Sequence, residues 1–328
     1  MSPRPRIAVD AMGGDAGPAV TVPAARAMAG RADLILVGDP ERIAEWLPGE
    51  VPGLRIHPAR EALTPADSLA DALRRKPDSS MRQALLRVAA GEADAVVSGG
   101  DTAALMGLAR SLVTMVPGIE RPAICKDLQG VSGPFWMLDL GANLDCTAEQ
   151  LRQFALMGNT LARHVGGIAE PRVALLNIGT EAGKGPAVIG EAARLFEADP
   201  SIRYVGYVEG NVLFSNAADV VVADGFAGNI ALKAIEGAAY MAGHLLHRWL
   251  EDLGPLEQAG LALARGKLRS LRHALNPQRY NGASFVGLSG VVVKSHGSAD
   301  VEGFQSAIEE AILEVEGRIP GHLAAEFH

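Results

Sequence analysis

Four of the six lysines in this chain of 328 residues, Lys126, Lys184, Lys233 and Lys294, lie in or beside short glycine-rich segments, although arginine outnumbers lysine 24 to six. An ammonium is a compact charge that reaches an oxyanion without the planar width of a guanidinium. Lysines kept at such places point to a phosphate or another anion. Lys184 makes the clearest case. It sits in NIGTEAGKG (177–185), where the amides of Gly179 and Thr180 can join it around an oxyanion. Lys233 and Lys294 are explained equally well as ordinary helix or strand-edge charges. Asn229 follows DGFAG and either caps a helix or donates to a carbonyl oxygen. His296, between an apolar run and a Gly-Ser turn, is the candidate acid or anion ligand; a structural loop histidine is the competing account. His244, His247 and His273 read as helix-face residues.

The glycine-rich segments form an ordered set. VDAMGGDAGP (9–18) holds Asp10, Gly13, Gly14 and Asp15, and SGGDTAAL (98–105) holds Gly99, Gly100 and Thr102. DLGANLD (139–145) holds Asn143, DGFAGN (224–229) opens with Asp224, and KSHGSAD (294–300) carries Lys294 and His296. A glycine after a strand is more often a plain turn than a phosphate cradle. Six in one chain argue for anion binding at helix N-termini, where free N–H groups and a partial positive charge meet the ligand. None matches GxxxxGK[ST] or GxGxxG, so a nucleotide P-loop or a standard dinucleotide fingerprint is unsupported. Asp10, Asp15, Asp101, Asp139 and Asp224 recur at strand ends without a repeating ligand spacing. They are expected to make loop and cap hydrogen bonds rather than hold a metal, and neither metal nor cofactor is expected. There is no GxSxG elbow, and neither Cys125 nor Cys146 stands in a recognisable motif with a histidine. The attacking atom in any group transfer therefore belongs to the substrate, and the protein supplies position and charge.

Short β-branched runs ending in Gly or Asp alternate with stretches of helical period, the pattern of parallel βα units. Strands are expected at 6–10, 34–39, 54–58, 93–98, 135–140, 172–179, 204–209, 220–224 and 291–295. Helices are expected at 18–29, 80–90, 102–113, 148–164, 230–253 and 300–317. DAVVSG, RVALLNIG and DVVVADG are almost wholly apolar, as strands covered on both faces must be. The expected fold is α/β, a mostly parallel doubly wound sheet forming one continuous domain over 1–328, two-lobed at most. No Pro-, Gly- or Ser-rich linker divides it. With 48% hydrophobic residues and 21% charged, the chain can bury a sizeable core. A net charge of −8 argues against nucleic acid as a partner. Two isolated cysteines, no signal-peptide core and no apolar run of about 18 residues favour a cytoplasmic protein whose membrane contact, if any, is peripheral.

Residues 230–276 read as a projecting helical hairpin. Leu246, Trp249, Leu250 and Leu253 follow helical spacing. Leu261, Leu268, Leu271 and Leu275 then interleave with Arg265, Lys267, Arg269 and Arg272. Leu253, Leu256, Leu261, Arg265, Lys267 and Arg269 are the candidate docking residues, for a second copy or for a membrane surface.

Taken in order, the motifs IAVDAMGGDAGP, SSM (79–81), RPA (121–123), LDLGAN, LLNIGTEAGKG, DVVVADGFAGN, YNGASFVGLSG and VVVKSHGSAD resemble those of the phosphate:acyl-acyl-carrier-protein acyltransferase family of bacterial phospholipid synthesis. The resemblance runs over nearly the whole chain. It implies transfer of a long-chain acyl group from acyl carrier protein to inorganic phosphate, giving an acyl phosphate. It also implies a fold like that of isocitrate and isopropylmalate dehydrogenases and phosphotransacetylases, a homodimer, and peripheral membrane contact. Under it, phosphate attacks the thioester directly, and Lys184 with the glycine amides holds phosphate or the oxyanion. Asn229 orients the carbonyl, and His296 stabilises phosphate or assists thiolate departure. The family usually reads SAGNTGA where this chain has SGGDTAA; if that turn touches phosphate, Asp101 should weaken binding unless Lys126 or Lys184 neutralises it. The alternatives are a phosphotransacetylase-like enzyme acting on acyl-CoA and a non-catalytic membrane scaffold for lipid-synthesis enzymes.

Overall fold

The computed structural model describes residues 4–64, 66–181, 183–251, 254, 266 and 281–327. Among them, eleven strands form one sheet, in the order β3-β2-β1-β4-β11-β10-β5-β6-β9-β7-β8. The strands are β1 (Arg6–Asp10), β2 (Asp33–Gly38), β3 (Leu54–Pro58), β4 (Ala95–Ser98), β5 (Ala123–Gly130), β6 (Gly133–Leu138), β7 (Arg172–Leu176), β8 (Arg203–Val208), β9 (Val220–Val222), β10 (Ala283–Val286) and β11 (Val291–Lys294). The helices are α1 (Pro18–Met28), α2 (Pro40–Ala44), α3 (Leu69–Arg74), α4 (Ser80–Ala89), α5 (Thr102–Leu112), α6 (Ala148–His164), α7 (Ala187–Ala198), α8 (Gly225–Glu251), α9 (Val301–Glu316) and α10 (Ile319–Glu326).

The side-chain alternation of β1 sets the layering. Ile7 and Val9 pack with Val22 of α1 and Phe304 and Ile308 of α9. Ala8 points the other way, into a cluster with Leu85 of α4 and Leu105 and Leu108 of α5. This is the period-two pattern of a strand buried on both faces. A third cluster joins β6, β7 and β9 to Phe154 of α6, Phe196 of α7 and Leu323 of α10.

The sheet is parallel in two blocks, not throughout. In β3-β2-β1-β4-β11 every pair is parallel, and so is every pair in β6-β9-β7-β8. Between them, β10 runs antiparallel to β11 and to β5, and β5 runs antiparallel to β6. Three successive reversals set the two blocks in opposite directions. The carboxyl ends of β1, β4 and β11 therefore lie at one edge of the sheet, and those of β6, β7 and β9 at the other.

The expected strands and helices are all present, with ends shifted by a few residues. Two strands, β5 and β10, and the helices α2, α3, α7 and α10 were not anticipated. The expected helix at 230–253 starts five residues earlier, at Gly225. The second helix of the expected hairpin, with Leu253, Leu256, Leu261, Arg265, Lys267 and Arg269, lies outside the described residues.

Candidate active site

Asp10 anchors the first edge. It ends β1 and is buried, and burial pushes its carboxyl above the usual range against hydrogen bonds that favour the carboxylate. The Ser80 hydroxyl, at the start of α4, donates to Oδ1 at 2.6 Å, and the Ser98 hydroxyl, at the end of β4, donates to Oδ2 at 2.6 Å. Ser98 Oγ in turn accepts the Gly100 N–H at 3.1 Å. Three turns are thereby tied to one carboxylate. Gly13 has to be glycine here, since a Cβ would stand 2.5 Å from Asp10 Oδ2. Gly14 takes φ +89° and packs its backbone on the Gly297 carbonyl, while the Asp15 N–H donates to that carbonyl at 2.8 Å. Gly99 lies against the Gly13 carbonyl, and exposed Thr102 opens α5. Asp101 caps α5, its Oδ1 accepting the Ala104 N–H at 2.8 Å.

Lys294 and His296 close this edge. The Lys294 ammonium donates to the Gly99 carbonyl at 3.4 Å and to the Ser295 carbonyl. Burial lowers its pKa to about 8, against the opposing pull of Asp101, Asp10 and Asp15. Asp101 thus acts on Lys294, a cation other than the two weighed from the sequence. Burial also lowers the His296 pKa. The Ser298 N–H donates to its Nδ1 at 3.3 Å, with the Ser298 hydroxyl 2.8 Å from the same nitrogen. With Nδ1 accepting, the neutral ring carries its proton on Nε2. Asn281, in YNGAS, holds the turn. Its Oδ1 accepts the His296 N–H at 2.8 Å, and its Nδ2 donates to Ser295 Oγ at 2.7 Å.

At the second edge Asp139 plays the corresponding part. Its buried carboxylate accepts N–H groups of Ile124, Gly141, Ala142 and Asn143 at 2.7–3.2 Å, and the Asn143 side chain donates to it at 2.9 Å. Asn143 is therefore buried in the loop scaffold, donating also to the Pro122 carbonyl at 2.8 Å. Asp224 caps α8, its Oδ1 accepting the Ala227 N–H at 2.7 Å. That corrects the capping account of Asn229. The helix begins four residues before Asn229, which stands exposed on its second turn with its side chain against Gly141. A donor role for Asn229 is compatible with that position.

Helix α8 connects the two edges. Asn229, Lys233 and Glu236 fall on one side of it by their i, i+4 and i+7 spacing. Lys233 pairs with Glu236 at 2.8 Å. These two charges act on Lys126 of β5, whose pKa burial lowers, and on His296; Lys233 also acts on Lys294. Lys126, Lys233, Lys294 and His296 are thus brought together from three separate parts of the chain.

Lys184 is placed differently. Its ammonium is 3.3 Å from Glu181 Oε2 and its side chain is 56% exposed. Its contacts are with its own loop, where Asn177 Nδ2 donates to the carbonyls of Gly179 and Lys184 and holds the turn closed. Thr180 is exposed in the same loop. Sequence reasoning missed Ser80, Ser98 and Asn281. All three lay inside or beside motifs already noted, and a buried strand-end aspartate needs such hydroxyl donors.

The fold defines an α/β protein whose glycine turns gather at the two ends of one mostly parallel sheet. The family model for "Fatty acid synthesis protein" matches residues 5–319, and the chain belongs to that family. It is 47% identical over 321 residues to a phosphate acyltransferase of Alcanivorax borkumensis, covering 96% of this chain and 95% of the relative. Among solved structures it is similar to a phosphotransacetylase from Streptococcus pyogenes (TM-score 0.60, 18% identity, 96% and 95% of the two chains covered). It is also similar to 4-hydroxythreonine-4-phosphate dehydrogenase from Klebsiella pneumoniae (TM-score 0.55, 15% identity, 96% and 99% covered). At such identities the likeness concerns the fold, and it bears out the expected resemblance of fold to phosphotransacetylases.

Proposed function

We propose that this protein transfers an acyl group from a thioester to inorganic phosphate, releasing an acyl phosphate and a thiol. The observation that carries this reading is the first-edge cluster. Lys294, His296, Lys126 and Lys233 supply positive charge and donors beside the glycine turns that Asp10 holds, in a chain of the fatty acid synthesis family. A phosphate at that edge attacks the thioester carbon, the developing oxyanion is met by fixed donors, and no enzyme nucleophile is needed. Burial raises both thiols, Cys146 to about 11 and Cys125 well above the ordinary range, which makes them poor nucleophiles.

The donor in this reading is a long-chain acyl group on acyl carrier protein, and the site of action is the cytoplasm, at the periphery of the membrane. A homodimer is part of the same reading, supported by the exposed apolar side chains of α8: Phe226, Ile230, Tyr240, Met241, Leu245 and Trp249. Among the described residues no helix is long and apolar enough to cross a membrane. The test mixes the protein with long-chain acyl carrier protein and phosphate, then measures free thiol and hydroxylamine-trappable acyl phosphate. Phosphate-dependent appearance of both is expected. Thiol release indifferent to phosphate sinks the reading, and faster turnover with acyl-CoA moves the donor to coenzyme A.

A further inference from the structure

We propose that Lys294 is the proton donor to the departing thiolate, a role that rests on the acyl-transfer reading above. The reaction needs such a donor. As the phosphate oxygen bonds to the acyl carbon, the carbon–sulfur bond breaks and its electron pair goes to sulfur. Overall the proton carried by HPO₄²⁻ ends on the thiol. A side chain that hands sulfur a proton as that bond breaks, and afterwards takes the proton the phosphate carried, closes the balance with no further reactant.

The geometry selects Lys294 among the cations. It terminates β11 at the edge where the glycine turns converge, and two of its three N–H groups are fixed by the carbonyls of Gly99 and Ser295. Those acceptors are neutral, so the ammonium is held in place without a carboxylate bonded to it. The fields of Asp10, Asp15 and Asp101 keep it charged against burial, and the balance falls at about 8. That is close to a free thiol at about 8.5, the match that efficient proton transfer requires. The other cations are less suited. Lys233 is bonded to Glu236 and Lys184 to Glu181, both more than half exposed. Lys126 lies in the middle of β5, and among the described residues no hydrogen bond fixes its ammonium to a turn. His296, whose pKa burial lowers and whose Nδ1 accepts from the Ser298 N–H, is placed to offer a hydrogen bond from Nε2 rather than to hold a ready proton.

The experiment compares wild type with Lys294→Gln and Lys294→Arg on two thioesters of the same acyl chain. One has an alkyl thiol leaving group, and the other an aryl thiol whose thiolate departs unprotonated. Lys294→Gln is expected to lose about 10²-fold or more in kcat on the alkyl thioester and only about 5-fold or less on the aryl one. Lys294→Arg, whose guanidinium does not give up its proton, should follow Lys294→Gln. Wild-type kcat should fall above about pH 8 on the alkyl substrate and stay level there on the aryl one. Thermal midpoints of the variants check folding, and the wild-type pH comparison stands without them. Equal losses on both thioesters with a raised phosphate KM, or full activity of Lys294→Arg, overturn the assignment. If wild type itself shows no phosphate-dependent release, the acyl-transfer reading fails, an outcome distinct from failure of the proton assignment alone.

Discussion

Asp10 and Ser98 are joined across the neighbouring strands β1 and β4 by a 2.6 Å hydrogen bond, and the same hydroxyl oxygen accepts the Gly100 N–H. One serine therefore satisfies a buried carboxylate and sets the turn after it. Ser98→Ala leaves the buried Asp10 carboxyl without one of its hydroxyl donors and is expected to cost about 1.5–3 kcal/mol, read as a shift in the urea midpoint. An unchanged midpoint shows that the carboxylate is satisfied elsewhere.

Asp101→Asn separates a cap from a charge. Asparagine caps a helix as well as aspartate does, so the thermal midpoint should hardly move. The Lys294 ammonium loses a negative neighbour, however, and its titration should move below about 8. The alkaline limb of the pH–rate profile is expected to shift to lower pH, and the phosphate KM to fall. A fixed limb removes Asp101 from the field at Lys294.

Lys184→Ala tests the second edge. Its ammonium pairs with Glu181 of its own exposed loop, so stability should be unaffected. If it meets the oxyanion when substrate binds, kcat drops about 10²-fold. Unchanged steady-state kinetics place it outside the chemistry.

Two glycines of α8 should respond in opposite directions. A Cβ on Gly228 would fall inside the contact distance of the Asp139 carbonyl oxygen, whereas one on Gly237 meets nothing within 4 Å. Gly228→Ala is expected to cost about 1–3 kcal/mol, with lost activity as Asn229 and Lys233 shift. Gly237→Ala should stabilise the helix by up to about 1 kcal/mol. Urea denaturation of both variants measures the contrast.

Glu314 gives a pH signature away from the site. It is buried on α9, where the Ser284 hydroxyl donates to it at 2.9 Å and the carboxyl groups of Glu310 and Asp127 are its acidic neighbours. Burial raises its pKa from 4.5 to about 7. The folded chain then binds an extra proton between those values, and stability falls as pH rises across that window. Glu314→Gln is expected to match wild type at pH 4 and to exceed it at pH 8 by about 1–3 kcal/mol, as thermal scans at the two pH values will show.

The long apolar strands and the glycine turns were legible because each carries its signal locally. Strand β5, AICKDLQG, was not, because Lys126 and Asp127 interrupt its apolar run. Both are nonetheless largely sequestered, for consecutive strand residues face opposite sides. Lys126 meets the charges of α8, and Asp127 meets Glu310 and Glu314 of α9. Neither partner lies nearby in sequence. Missing β5 and β10 hid the reversal of the sheet, and with it the division of six similar turns between two edges. The strand-end aspartates were read correctly as hydrogen-bonding groups, as Asp101, Asp139 and Asp224 illustrate. The assembly of Lys126, Lys233, Lys294 and His296 depends on where a long helix crosses, which local pattern does not encode.

Helix α8 carries two kinds of surface along one continuous length. Near its start Lys233 and Glu236 act on His296, and further along Tyr240, Met241, Leu245 and Trp249 stay exposed. Because both stretches belong to one helix, a substitution that breaks it between them, such as a proline, would uncouple the placement of the charges from that of the apolar side chains.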